Sequence, residues 1–262
     1  MSIPPYDERG TGPAILFGHG TMMDKSMFGE QLSGLSDNYR VIAFDHRART
    51  ANWDGPYTLD DLANDCVELL DSAGIERCVL GGMSMGGFMA LRFALHHQHR
   101  LDGLVLIDTL AAAPISPHED LFRSLKDGGP LPEEVVEWHA DIVFGETTKR
   151  ERPELISHWM ERWNDLTSAS VYWESASWLR REDVVPRLPE IAVPTLVIHG
   201  EEDGILPMAG AEEMANRVQH GTLARIAGAG HTANAEQPAA VNAVLREFLE
   251  GIYTVATSAS TS

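Results

Sequence analysis

The sequence predicts an α/β architecture: a mostly parallel sheet flanked by helices and interrupted by a helical insertion. Three observations carry this expectation. Short, continuously apolar runs recur along the chain. Helical patterns of period 3.6 fall between them. One long stretch, from about residue 113 to 189, breaks the alternation.

The apolar runs are Ala14 to Phe17, Arg40 to Phe44, Cys78 to Leu80, Leu104 to Ile107, Thr195 to Ile198 and, more weakly, Thr222 to Ile226. Strands that are apolar throughout, rather than at alternate positions, are buried on both faces, as in parallel sheets. Between them, Thr58 with Asp61 three residues on forms a capping-box pattern. Leu59, Leu62, Ala63, Cys66, Leu70 and Ala73 then mark one apolar helix face ending at Gly74. Met85 to His97 and Ala239 to Leu249 read as two further helices. Strand, helix, strand, repeated, implies right-handed crossovers onto one sheet. The region 113–189 lacks a strand pattern and holds five of the six tryptophans: Trp138, Trp159, Trp163, Trp173 and Trp178. The expected organisation is therefore a core over 1–112, a helical cap over 113–189, the rest of the core over 190–255 and a flexible tail over 256–262. Helix–helix packing accounts for most of those indoles. Trp138, Trp159 and Trp163 are the candidates for an apolar wall over a ligand.

Bulk properties remove several function classes. The formal net charge of −19 repels phosphate backbones, so no nucleic-acid partner is expected. No apolar run approaches membrane-spanning length, and the first ten residues lack the basic start and apolar run of a signal peptide. Cys66 and Cys78 are too few for a disulfide framework, and read as reduced core residues of a cytoplasmic protein. There is no HExxH and no cysteine pair at ligand spacing, so neither metal nor cofactor is expected. His96, His97 and His99 sit where a helix C-terminus explains them. Oligomeric state is left open.

The sharpest motif is Gly82-Met83-Ser84-Met85-Gly86, between a predicted strand and a predicted helix. A tight strand-to-helix turn needs small residues two before and two after the serine, and lifts its hydroxyl to the C-terminal edge of the sheet. The helix N-terminus beneath favours developing negative charge. Ser84 is thus the candidate nucleophile. His231, in the loop after the last strand, is the candidate base. Asp203, after the strand Thr195 to Ile198, is the candidate orienting acid, with Asp108 at the end of the preceding strand as its rival. Glu201 and Glu202 read as solvated. Two backbone N–H groups, of Met85 and of Thr21 in the loop His19-Gly20-Thr21, are the candidate oxyanion donors.

Taken together, His19-Gly20, Gly82-Met83-Ser84-Met85-Gly86-Gly87, Gly200-Glu201-Glu202-Asp203 and Gly230-His231 resemble the α/β-hydrolase superfamily. Within it the chain is similar to the 3-oxoadipate enol-lactonases and small carboxylesterases, chiefly over Asp60 to Thr109 and His231 to Pro238. The resemblance implies the α/β-hydrolase fold and an acyl-enzyme on Ser84, with a small carboxylic ester or lactone as substrate. Two departures stand out. The first clear strand begins barely a dozen residues into the chain, which points to loss of one or both leading antiparallel strands usual in the family. The Trp- and acid-rich cap does not read as a lactonase cap, and Arg123, Arg152, Arg162, Arg180 and Arg181 read as surface residues. A general ester or lactone hydrolase therefore stands ahead of an enol-lactonase proper. The alternative in another class is a hydrolase-fold ligand receptor with little turnover.

Overall fold

The computed structural model describes residues 3–50, 53, 55–114 and 119–259, with side chains described through residue 254. Seven strands form one sheet: β1 (Tyr6–Arg9), β2 (Ala14–Gly18), β3 (Arg40–Phe44), β4 (Cys78–Met83), β5 (Leu101–Ile107), β6 (Thr195–Gly200) and β7 (Gly221–Ile226). Their order is β1-β3-β2-β4-β5-β6-β7. All neighbours run parallel except β1, which pairs antiparallel with β3 from Tyr6 opposite Phe44 to Arg9 opposite Val41. One leading antiparallel strand is thus present. Its sequence, Tyr-Asp-Glu-Arg, is exposed throughout and carries no apolar signal. It is an edge strand defined by its partner, and the salt bridge from Arg40 Nε to Glu8 Oε1 (2.9 Å) ties the two strands together.

The helices are α1 (Gly29–Leu35), α2 (Leu59–Ser72), α3 (Met85–His97), α4 (Glu119–Ser124), α5 (Glu133–Val143), α6 (Glu146–Glu151), α7 (Pro153–Trp163), α8 (Ser168–Leu179), α9 (Met208–Arg217), α10 (Ala233–Glu236) and α11 (Pro238–Ala259). The two faces of the sheet bury separate cores. One face packs Ile15, Phe17, Val79 and Val105 against Phe28 of the segment leading into α1 and Leu245 of α11. The other packs Leu16, Leu80 and Leu104 against Leu62 and Cys66 of α2 and Phe93 of α3. Helices α4 to α8 all lie between β5 and β6, in the stretch that breaks the strand–helix rhythm. The last helix runs ten residues past Leu249, so residues 256–259 of the expected loose tail continue it, while 260–262 lie outside the described residues. Among the described residues no helix is long and apolar enough to cross a membrane.

The start of α2 follows from the sequence at the level of single atoms. The Thr58 hydroxyl accepts from the Asp61 N–H (3.1 Å), and the Asp61 carboxylate accepts from the Thr58 N–H (2.8 Å). Thr58→Ala is expected to lower stability to denaturant by about 1 kcal/mol, the usual cost of deleting such a cap, read as a shifted urea midpoint at unchanged slope.

Candidate active site

The chain turns sharply from β4 into α3, and Ser84 stands at the turn with φ 49° and ψ −111°. Such a conformation is strained for any residue with a side chain. Two glycines make it possible. A Cβ on Gly82 would lie 2.1 Å from the Gly86 carbonyl oxygen, and one on Gly86 would lie 2.1 Å from that of Gly18. The Ser84 N–H donates to the Ile107 carbonyl (2.9 Å), and the Thr109 hydroxyl donates to the Ser84 carbonyl (2.8 Å), which fixes the turn to β5.

The turn brings Ser84 to His231. The Ser84 hydroxyl oxygen lies 3.0 Å from His231 Nε2, and His231 Nδ1 lies 2.8 Å from Asp203 Oδ2. A carboxylate only accepts, so Nδ1 carries the proton and Nε2 is left to accept from the hydroxyl. The other Asp203 oxygen accepts from the N–H groups of Ile205 (2.8 Å) and Leu206 (3.0 Å). The candidate acid in contact with the imidazole is therefore Asp203. Its rival Asp108 accepts instead from the N–H groups of Gly200 (2.8 Å) and Ala233 (2.9 Å).

A family model described as the alpha/beta hydrolase family matches residues 15–244. The chain belongs to the alpha/beta hydrolase family. One relative, 3-oxoadipate enol-lactonase 2 of Acinetobacter baylyi, is 29% identical over 245 residues, 90% of each chain. A thermophilic esterase from Thermogutta terrifontis superimposes with a TM-score of 0.89 at 31% identity, over 95% of this chain and 93% of its own. The enol-lactonase of Burkholderia xenovorans reaches a TM-score of 0.85 at 24% identity, over 94% and 95%, a likeness of fold. Family and relatives together make the chain a hydrolase.

In this hydrolase three buried groups hold the loops around the serine. Glu236, unremarked as a site residue in the sequence, accepts from the N–H groups of Gly230 and Thr232 (3.0 Å each) on either side of His231, and from the N–H of Gly145 (2.8 Å) at the end of α5. Glu174 of α8 accepts from the Met22 N–H (3.0 Å) and from Arg49 Nη2 (2.7 Å), while Arg49 Nε donates to the Met23 carbonyl (2.8 Å). Met22 has φ 63°, so a charged pair clamps a strained residue directly after Thr21. His19 is fully buried; its Nε2 accepts from the His46 N–H (2.9 Å) and its Nδ1 lies 2.8 Å from the Gly20 carbonyl. That makes it a loop-shaping residue. A Cβ on Gly20 would sit 2.4 Å from Met83 Sδ and 3.4 Å from Ser84 Cβ, so the 19–21 loop lies against the serine. Thr21 itself lines the cavity above it. Met85 begins α3, where its N–H has no intrahelical acceptor.

That cavity has a volume of about 530 Å³ and is largely apolar. Ser84 and His231 open onto it from the sheet edge; Trp138, His139, Phe122 and Trp178 line it from the inserted helices. Of the tryptophans expected to form its wall, Trp138 does so. Trp159 and Trp163 do not: they are 2% and 0% exposed, with ring centroids 6.3 Å apart, and fill the core of the inserted helices. Helical periodicity cannot separate a face turned to a cavity from one turned to a neighbouring helix. Trp178, passed over in the sequence, takes the place on the wall. Arg181 is also turned inward, with its guanidinium 3.9 Å from the Phe88 ring centroid, and burial lowers its pKa to about 10. Glu202 is not simply solvated either: its carboxylate accepts from the N–H and hydroxyl of Thr147 (2.7 and 2.6 Å) in the first turn of α6.

Asp108, His199 and Asp203 bring three potential ligand atoms within 4.8 Å of one another. The carboxylates are committed to His231 and to backbone N–H groups, and His199 Nε2 bonds the Leu206 carbonyl (3.1 Å), so the cluster belongs to the hydrogen-bond network around His231. Burial and the neighbouring Asp203 charge push Asp108 up to about 8. Burial alone would also raise Asp203, but the His231 cation and its hydrogen bond hold it below the usual carboxylate range. Burial of His231 favours the neutral ring, yet the charge and hydrogen bond of Asp203, then the charges of Asp108 and Glu236, raise its pKa above the ordinary 6.5. The neutral, proton-accepting ring is thus lost as pH falls through a value above 6.5. NMR titration is expected to place the His231 transition above that of a free imidazole, and Asp203→Asn to move it down.

Proposed function

We propose that this hydrolase cleaves a small carboxylic ester or lactone through an acyl-enzyme on Ser84. The observation that carries this reading is the continuous chain Ser84 Oγ, His231 Nε2, His231 Nδ1, Asp203 Oδ2, with links of 3.0 and 2.8 Å at the floor of an apolar cavity. His231 takes the hydroxyl proton as Ser84 attacks the acyl carbon, then gives it to the departing alcohol. Water enters, loses a proton to His231 and releases the acid from the serine. Asp203 keeps the imidazole in the required tautomer and stabilises its cation. The N–H groups of Met85 and Thr21 receive the oxyanion, each contributing roughly 3–4 kcal/mol if it matches donors of this kind elsewhere. On this reading the helices inserted between β5 and β6 act as a cap that walls the cavity over Ser84.

The charges of the cavity lining narrow the substrate. Among the described residues, besides His139 and His231 they are one guanidinium, Arg181, and one carboxylate, Glu213. This near-neutral balance favours an uncharged ester or lactone over the carboxylate-bearing lactone that an enol-lactonase of the 3-oxoadipate type takes.

Ser84→Ala is expected to abolish hydrolysis of short p-nitrophenyl esters while the circular dichroism spectrum and melting temperature hold; retained turnover would remove the proposal. Asp203→Asn is expected to cost roughly 10⁴-fold in kcat, as loss of the orienting acid does in a well-studied triad. Asp108→Asn, which leaves the His231–Asp203 contact intact, is expected to cost far less, and the reverse ranking would reassign the acid.

A further inference from the structure

His139 lies on α5 and faces the same cavity, 7% exposed. Both of its ring nitrogens are buried and neither makes a hydrogen bond. The ring packs T-shaped against Trp163, with centroids 4.7 Å apart at 68°, which fixes its place in the wall. Buried polar groups are as a rule paired, because an unpaired one has given up its bonds to water for nothing. An apolar residue would fill this position without that cost. Burial first, then the charges of His231 and Arg49, hold the His139 pKa at about 3, so the ring is neutral under working conditions and offers one N–H donor and one bare nitrogen. The Thr21 carbonyl lies close enough to favour the charged form slightly. A carbonyl can only accept, so it can engage only the single N–H of the neutral ring, and the bare nitrogen is left as an acceptor for another partner.

We propose that His139 is the polar recognition point of the substrate site, accepting a hydrogen bond from a hydroxyl carried on the acyl chain near the scissile carbonyl. This rests on the ester or lactone reading above and refines it: the preferred substrate class is a hydroxyacyl ester, or a lactone bearing a free hydroxyl. The acyl side follows from the neighbour. His139 stands beside Thr21, whose N–H is assigned to the carbonyl oxygen, so a group within its reach branches from the acyl chain close to that carbonyl. In the apolar wall around it, such an oxygen finds a partner that an alkyl chain leaves unused. Sites that hydrogen-bond a substrate oxygen discriminate against the carbon analogue far more strongly than apolar pockets discriminate by size.

The test compares kcat/KM for ethyl 3-hydroxybutyrate and for ethyl butyrate in the intact protein, in His139→Phe and in His139→Gln. The intact protein is expected to prefer the oxygenated ester by about tenfold or more, the phenylalanine variant to lose most of that preference, and the glutamine variant, which can still donate and accept, to recover part of it. A flat ratio in the intact protein, or the same ratio in His139→Phe, overturns the assignment. If the phenylalanine variant does not fold, the imidazole ¹⁵N signals of His139 in the intact protein decide: added 3-hydroxybutyramide is expected to shift them and butyramide to leave them in place, while equal responses to both overturn the assignment. Hydrolysis of ethyl butyrate that survives Ser84→Ala would defeat the underlying ester-hydrolase reading; a flat ratio with Ser84-dependent hydrolysis defeats only the role of His139.

Discussion

Ser84 keeps a backbone conformation that residues with side chains avoid, and three segments must crowd together for it to do so. The turn bends tightly enough that Gly82 meets the carbonyl of Gly86, while Gly86 meets that of Gly18 on the neighbouring strand β2. Strain of this kind costs about 1–3 kcal/mol and persists where the surroundings over-determine it. Here the surroundings are the Ile107 carbonyl, the Thr109 hydroxyl and the packed centre of the sheet. The strands flanking β4 are thus the frame that holds a hydroxyl above the sheet edge, and the loop after β2 is brought beside it by the same crossing. Position of the serine and position of the 19–21 loop are one constraint.

Charge is organised around this frame in two layers. Asp203 faces the imidazole and stays ionised; Asp108, next to it and fully buried, is the carboxylate pushed toward neutrality. The work of Asp108 is mechanical. Its two oxygens take the N–H of Gly200, at the end of the strand leading to Asp203, and the N–H of Ala233, just past His231. It therefore spaces the two loops whose side chains must meet. Glu236 does the same on the other side of His231, and Glu174 with Arg49 does it for the loop after Thr21. Each is a buried carboxylate engaged with backbone N–H groups. Removing one would leave buried backbone donors without their partner.

What the sequence discloses is whatever is decided locally. The Thr58–Asp61 cap, the all-apolar strands and the Gly-x-Ser-x-Gly turn are set by neighbours in the chain, and each is readable from it. Strand β1 is set by a distant partner: four exposed polar residues become a strand because β3 offers an unpaired edge. Trp138 on α5 and Trp163 on α7 lie on inserted helices with the same kind of amphipathic signal, yet one faces the cavity and the other the helix core, a choice made by how the helices dock. His139 on α5 and Arg181 just past the end of α8 are hidden for the same reason, since both are polar residues whose default place is the surface. Glu174 is the clearest case. Its partners lie 125 and 152 positions away, and nothing in the spacing of α8 distinguishes it from a solvated glutamate.

The ties between the inserted helices and the sheet loops also bear on how the protein is built as a folding unit. The His231 N–H donates to the Val143 carbonyl, and Glu236 takes the N–H of Gly145, so the end of α5 is stitched to the histidine loop; Glu174 stitches α8 to the loop beyond Thr21. The insertion and the core share their hydrogen bonds at the places where chemistry is assigned. Exchanging the helices between β5 and β6 for foreign ones would therefore remove the hydrogen bonds that tether the His231 loop and the loop beyond Thr21. Changes in the inserted helices are thereby coupled to the loops that carry His231 and Thr21.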